Sequence, residues 1–151
     1  LPQINVETDE HYRRVWTKPF TTYATHYDEM DILLIPLRKD FFNECKSELK
    51  FIEGSVKGKS VIISDVEPYK NVIKNALTKG GDIDPEGNCI AIPDNKGTKA
   101  WVKAITKLIN DEDLRKMIAT NLKKLTEKGA PFNLEKVCED RLKWLNEICQ
   151  N

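Results

Sequence analysis

The sequence predicts an α/β fold: a partial, Rossmann-like parallel sheet flanked by helices, with a helical C-terminus. Three observations carry this. Continuous apolar runs recur at residues 31–36, 60–65 and 89–93, as in strands covered on both faces. Amphipathic segments of helical period alternate with them, which implies parallel strands joined by right-handed crossovers. Everything from about residue 98 onward reads as helix. With three strands the sheet is small, since a complete doubly wound sheet usually has more.

The elements follow in order. Residues 1–30 are a loosely assigned lead-in. Gln3 to Glu7 alternates polar and apolar residues as a short half-buried strand does, residues 17–25 with Pro19 read as a connection, and residues 25–30 read as a helical turn. The run Asp31-Ile-Leu-Leu-Ile-Pro36 is the first strand, ended by its proline. A helix is expected from about residue 42 to 57, with Phe42, Cys45, Leu49, Ile52 and Val56 as its apolar stripe and Gly58 as its stop. Residues 60–65 are the second strand, and a short helix is expected within 66–77, after Pro68. Residues 79–88, with three glycines, Pro85 and three acids, are a loop, and 89–93 is the third strand, ended by Pro93.

Three helices close the chain. Ala100, Trp101, Ala104, Ile105, Leu108 and Ile109 make one stripe. Asp111 can cap a second helix carrying Leu114, Ile118, Leu122 and Leu125. Gly129-Ala-Pro131 interrupts, and Asn133 can cap a last helix with Leu134, Val137, Cys138, Leu142, Leu145, Ile148 and Cys149 on one face. Trp101 and Trp144 are expected in the core, Trp16 over a sheet edge, and His11 and His26 at the surface.

Length and charge bound the function. A chain of 151 residues, 40% hydrophobic and 32% charged, is one globular domain rather than a disordered or collagen-like chain. Lys plus Arg and Asp plus Glu are both 24, so no overall field attracts phosphate backbones, and nucleic acid is not an expected partner. No apolar run approaches the ~20 residues a membrane-spanning helix needs. Cys45, Cys89, Cys138 and Cys149 include no CxxC pair, and only two histidines exist, so no metal site is expected. Cys45, Cys138 and Cys149 fall on apolar stripes, as small buried hydrophobes do in a reducing, cytoplasmic compartment. The chain starts at Leu1 with no signal-peptide pattern and reads as an excised piece of a longer protein.

In an open parallel sheet, ligands bind beyond the carboxyl ends of the strands. After the first strand the chain runs Asn43-Glu-Cys-Lys46-Ser47 into a helix start, where unpaired backbone N–H groups favour anions. Lys46 adds a cation, and Asn43 and Ser47 add hydrogen-bonding groups. Lys50 and Glu53 share a helix face with Lys46. Amides and lysine would suit a diphosphate, and the carboxylate about two turns on would suit ribose hydroxyls; a solvated, salt-bridged face has the same composition. No GxGxxG and no Gly-x-Ser-x-Gly is present, the Gly58-Lys59-Ser60 triplet lacks the glycine that a GxxxxGK(S/T) phosphate loop needs at position 53, and a receiver-domain pattern does not fit.

The segments Asp31-Ile-Leu-Leu-Ile-Pro36-Leu37, Asn43-x-x-Lys46-Ser47-x-Leu49-Lys50-x-x-Glu53 and Gly58-Lys-Ser-Val-Ile-Ile-Ser64, with Asn88-Cys-Ile-Ala-Ile-Pro93 and the helices from Trp101 to Arg115, resemble the carboxyl-terminal domain of GT-B fold glycosyltransferases of the glycosyl transferase group 1 kind. The resemblance covers roughly residues 30–128. It implies a donor-binding half that holds a nucleotide-diphosphate sugar for transfer to an acceptor such as a polysaccharide precursor. It also implies an acceptor site on an amino-terminal domain absent from this chain, no cofactor, and a whole protein open to peripheral membrane contact. By position, Glu53 looks like the glutamate that holds the donor's ribose, and Asn43, Lys46 and Ser47 like the segment that meets its diphosphate. The family's second glutamate, eight residues earlier, is Cys45 here, so its role is unassigned. The alternatives are a non-catalytic nucleotide-sugar binding or protein-interaction module, and a nucleotide-sugar isomerase of the same fold.

Overall fold

The computed structural model describes residues 17–149. Three strands, β1 (Ile32–Ile35), β2 (Ser60–Asp65) and β3 (Ile90–Pro93), form one parallel sheet in the order β1-β2-β3. Leu33 lies opposite Val61 and Ile62 opposite Ile90, so the register puts residues of like parity on one face. That alternation divides the core in two. Leu33, Ile35, Val61, Ile63 and Ala91 face one side with Phe51, Tyr27 and Leu122. Ile62, Ile90 and Ile92 face the other with Ala104, Leu108, Leu114 and Ile118. Central β2 is buried from Ser60 through Ser64, which is why its sequence is apolar on both parities. Fully burying each Val or Ile here contributes about 1.5–3 kcal/mol.

The helices are α1 (Phe41–Glu44), α2 (Leu49–Val56), α3 (Thr98–Asn110), α4 (Glu112–Lys123) and α5 (Leu134–Cys149). The α/β class, the parallel sheet, its three strands and the three closing helices agree with the sequence reading. Two capping expectations hold: Asp111 Oδ1 accepts from the Leu114 N–H at 2.9 Å, and Asn133 Oδ1 from the Lys136 N–H at 3.2 Å. Gly58, at φ +60°, ends α2. The Lys59 N–H bonds to the Gly54 carbonyl and the Gly58 N–H to that of Ser55, a paired closure that needs the left-handed residue between.

Several expectations fail. The single helix over 42–57 is two, separated by residues 45–48. Asp40 caps α1 through the Asn43 N–H, and the Asn43 amide bonds back to Asp40 and to the Arg38 carbonyl, a local closure that competes with helix propagation. The expected stripe is also turned outward: Phe42, Cys45, Leu49 and Val56 are exposed, while Phe51, Gly54 and Ser55 are buried. The reason is close approach. A Cβ on Gly54 would stand 3.0 Å from Leu33 Cδ2 and 3.2 Å from Val61 Cγ2, and the Ser55 hydroxyl donates to the Leu122 carbonyl at 2.7 Å. Small residues seat α2 on the sheet, and apolar periodicity does not register them.

The helix expected within 66–77 reduces to a 3-10 turn at Glu67–Tyr69. Asn side chains take over the backbone hydrogen bonds that follow: Asn88 bonds the Lys74 N–H and the Val72 carbonyl, and Asn75 accepts from the Ala91 N–H of β3. The turn expected at 25–30 is a 3-10 helix, Tyr23–Glu29. Of the cysteines, Cys45, Cys138 and Cys149 are exposed and Cys89 is buried, the reverse of the expected packing for the first three. The apolar face of α5 is exposed except at half-buried Val137, and Trp144 is outside the core at 59% exposure. Trp101 is half-buried against the second core, and His26 is half-buried beside the Tyr23 ring. The strand expected at 3–7, His11 and Trp16 lie outside the described residues.

Candidate functional site

The carboxyl ends of the strands are tied together. The Leu37 N–H donates to Ser64 Oγ at 2.8 Å, joining the exit of β1 to β2, and the Lys39 N–H donates to Asp94 Oδ1 at 3.1 Å, joining it to the segment after β3. The exit of β1 therefore leaves the sheet in a fixed direction. Beside it opens a cavity of about 450 Å³, lined by Leu34 to Leu37, Lys46, Ser47, Leu49, Lys50 and Tyr69. Its floor is apolar, and its polar groups are two lysines, a hydroxyl and a phenol. That composition suits an anionic ligand with a flat or apolar body.

The structure brings Lys46 and Ser47 to this cavity, but not as the first turn of a helix. They lie in the link between α1 and α2, and α2 begins at Leu49 with Glu48 as a cap that makes no side-chain bond. Lys46 Nζ stands 4.9 Å from the centroid of the Phe42 ring, a cation–π contact available only because Phe42 is exposed. Asn43 does not line the cavity; its amide is spent on Asp40 and Arg38. Glu53 does not line it either and joins it through Lys50, one turn closer.

Glu53 is the centre of a network. Its Oε2 accepts from the Tyr27 hydroxyl, from the Tyr23 hydroxyl at 3.2 Å and from Lys50 Nζ at 3.0 Å. Lys50 Nζ also donates to the Tyr23 hydroxyl and reaches that of Tyr27 at 3.4 Å. Burial alone would raise the Glu53 pKa, but the hydrogen bonds from Tyr27 and Lys50 outweigh it and hold the carboxyl below its ordinary value. For Lys50 burial works downward, and the bonds to Tyr23 and Glu53 prevail, leaving the ammonium above its usual range. Burial and then the carboxylate beside it push the Tyr27 phenol upward, so it stays a donor. Tyr69 is raised by burial, with the Lys50 charge opposing. The network is thus ionised as a carboxylate and an ammonium across neutral pH. Its stabilisation is lost in acid, as pH falls through the depressed Glu53 value, and in alkali, as pH rises through the raised Lys50 value.

Tyr23, Tyr27 and Tyr69 escaped the sequence reading. The first two stand four apart, the spacing of side chains on one helical face, but only Tyr27 lies in the segment read as a helical turn and Tyr23 falls in the stretch read as a connection. Nothing in the sequence ties Tyr69 to the first strand. Among the described residues, no three His, Cys, Asp or Glu side chains converge as a metal ion would need, and no helix is long and apolar enough to cross a membrane. A second concavity of about 520 Å³ lies between β3, residues 75–81 and α3, away from these residues. No protein-family model, curated protein or solved structure matches the chain.

Proposed function

We propose that this chain is the donor-binding half of a glycosyltransferase, holding a nucleotide-diphosphate sugar for transfer to an acceptor such as a polysaccharide precursor. The observation that carries this reading is the pairing of Lys46 and Lys50 with Ser47 at a cavity beyond the carboxyl end of a parallel strand. The Lys46 ammonium meets a diphosphate without a cofactor, the Lys50 ammonium, held by Glu53 and the two phenols, adds to the positive field beside it, and the apolar lining accepts a base or sugar face. Glu53, held ionised beside Lys50, supplies the acceptor a ribose diol needs. Asn43 acts indirectly in this reading, by shaping the turn that presents Lys46.

An amino-terminal acceptor domain completes the reaction. The exposed Phe41, Phe42 and Leu49 around the cavity and the bare apolar face of α5 support this reading, since each is surface a second domain would cover. The free thiols of all four cysteines accord with a reducing, cytoplasmic setting.

The test is the replacement Lys46→Ala, read by calorimetry with a nucleoside diphosphate and the matching nucleoside at two salt concentrations. The diphosphate is expected to lose roughly tenfold in affinity and the nucleoside almost nothing, because a lysine meets phosphate as a point charge. The loss should shrink at high salt. Equal weakening of both ligands would mean that Lys46 acts through the fold, and weakening of neither would remove the diphosphate from this cavity.

A further inference from the structure

We propose that Tyr23 and Tyr27 are positioning residues for the donor's ribose, holding the Glu53 carboxylate in one orientation before the ligand arrives. This rests on the donor-binding reading above and goes beyond it, because both residues come from the lead-in segment and not from the strand–helix unit that carries the cavity. The geometry is specific. Three donors, the two phenols and Lys50 Nζ, converge on one oxygen, Oε2. A glutamate otherwise turns about three side-chain torsions, and a carboxylate pinned at one oxygen keeps its plane.

The phenols are themselves fixed. Tyr27 is 4% exposed and packs in the core with Leu33, Ile35 and Phe51, and the Tyr23 ring meets it edge-on at 6.1 Å between centroids. Tyrosine has two torsions to lose and loses them to core packing, so the orientation is set on folding rather than on binding. A vicinal diol binds best to an acceptor that is already aligned, since an unpinned glutamate would surrender its rotamers at that moment. The groups facing the carboxylate are Tyr23 and Tyr27 from the 3-10 helix and Lys50 from its own helix. Tyr69 faces Lys50, and Lys57, one turn beyond Glu53, is occupied by Asp28 at 2.8 Å.

The experiment is calorimetric titration of the intact protein with uridine, adenosine and guanosine diphosphates and with inorganic pyrophosphate, between about pH 3 and 8, a window that extends below the ordinary carboxylate range because Glu53 is held under it. Tyr27→Phe keeps the packed ring and removes one donor. It is expected to weaken the nucleotide that binds best by about three- to tenfold and to leave pyrophosphate unchanged. It should also move the acid limb of nucleotide binding to higher pH, because Glu53 loses a bond that favours its ionised form. Tyr23→Phe should act in the same direction and less. Glu53→Gln should abolish the acid limb.

A merely structural role for the tyrosines would weaken pyrophosphate and nucleotide together and leave the limb in place. If Glu53→Gln leaves nucleotide affinity as in the wild type, or no nucleotide binds at all, the donor reading of this site falls. If Glu53→Gln weakens binding while both tyrosine variants keep wild-type affinity and acid limb, the positioning role alone is overturned.

Discussion

Helices α4 and α5 are written alike and end differently. In α4, Leu114, Ile118 and Leu122 recur every four residues and all are buried, packed between the sheet and its neighbouring helices. In α5, Leu134, Cys138, Leu142 and Leu145 recur at three and four, and no residue of the helix is buried. Both begin at a polar residue whose side chain caps the first turn. What separates them is placement. α4 follows α3 after the single residue Asp111 and is returned across β2, whereas α5 leaves through the turn at Gly129, at φ +81°, and its apolar stripe faces outward. An apolar stripe states that a helix has a face to bury; it does not state against what.

The largest expected effect sharpens this contrast through the core. Ile118 is fully buried, so Ile118→Ala should destabilise the protein by about 2–5 kcal/mol, the removed side chain plus the cavity it leaves. Leu145, 50% exposed, should cost no more than about 0.5 kcal/mol on the same change. Urea denaturation followed by circular dichroism measures both. If Leu145→Ala costs as much as Ile118→Ala, the α5 face is covered in solution and the comparison breaks.

A smaller effect concerns the caps. Asp111→Ala should lower global stability by about 1 kcal/mol, since α4 unfolds with the sheet it covers. Asn133→Ala should instead fray α5 and leave the denaturation midpoint nearly unmoved, because a helix without packing contributes little to the cooperative unit. Amide hydrogen exchange along the two helices distinguishes local from global loss.

The smallest effect on stability, and the simplest to read, is thiol chemistry. Cys138 and Cys149 on α5, together with Cys45, should react with an aromatic disulfide reagent in the native protein. Cys89, buried and with its thiol pushed up to about 12, should react only on unfolding. Native protection of Cys138 and Cys149 would show α5 to be covered.

The same distinction explains which parts of the molecule were legible. The strands were, because a strand buried on both faces needs every side chain apolar, and Val61, Ile62 and Ile63 announce that without reference to any partner. The caps were, because Asp111 and Asn133 act on N–H groups three residues away. The seating of α2 was not. Its contact face is Phe51, Gly54 and Ser55, and a glycine and a serine carry no hydrophobic signal although they allow the closest approach to the sheet. In the site, Lys46 and Ser47 were placed at the cavity by their position after a strand. Asn43 falls outside the cavity lining because its amide turns to Asp40 and to the Arg38 carbonyl, a local closure that no ligand spacing registers. Lys50, three residues from Glu53, shares its helix face, but the other two partners, Tyr27 and Tyr23, are 26 and 30 residues away and no local pattern joins them.

Local chemistry therefore decided the class of this protein. Apolar runs, helical periods, capping residues and the glycine after α2 act over a few residues, and their outcome does not depend on the rest of the chain. The tertiary structure alone decided which face of each helix is covered, which cysteines are buried, and that Tyr23, Tyr27 and Lys50 converge on one oxygen of Glu53. Those outcomes depend on distances between segments that are far apart in sequence. Such distances are set by shape, by small residues as much as by large ones, and by how many donors can meet at one half-buried acceptor.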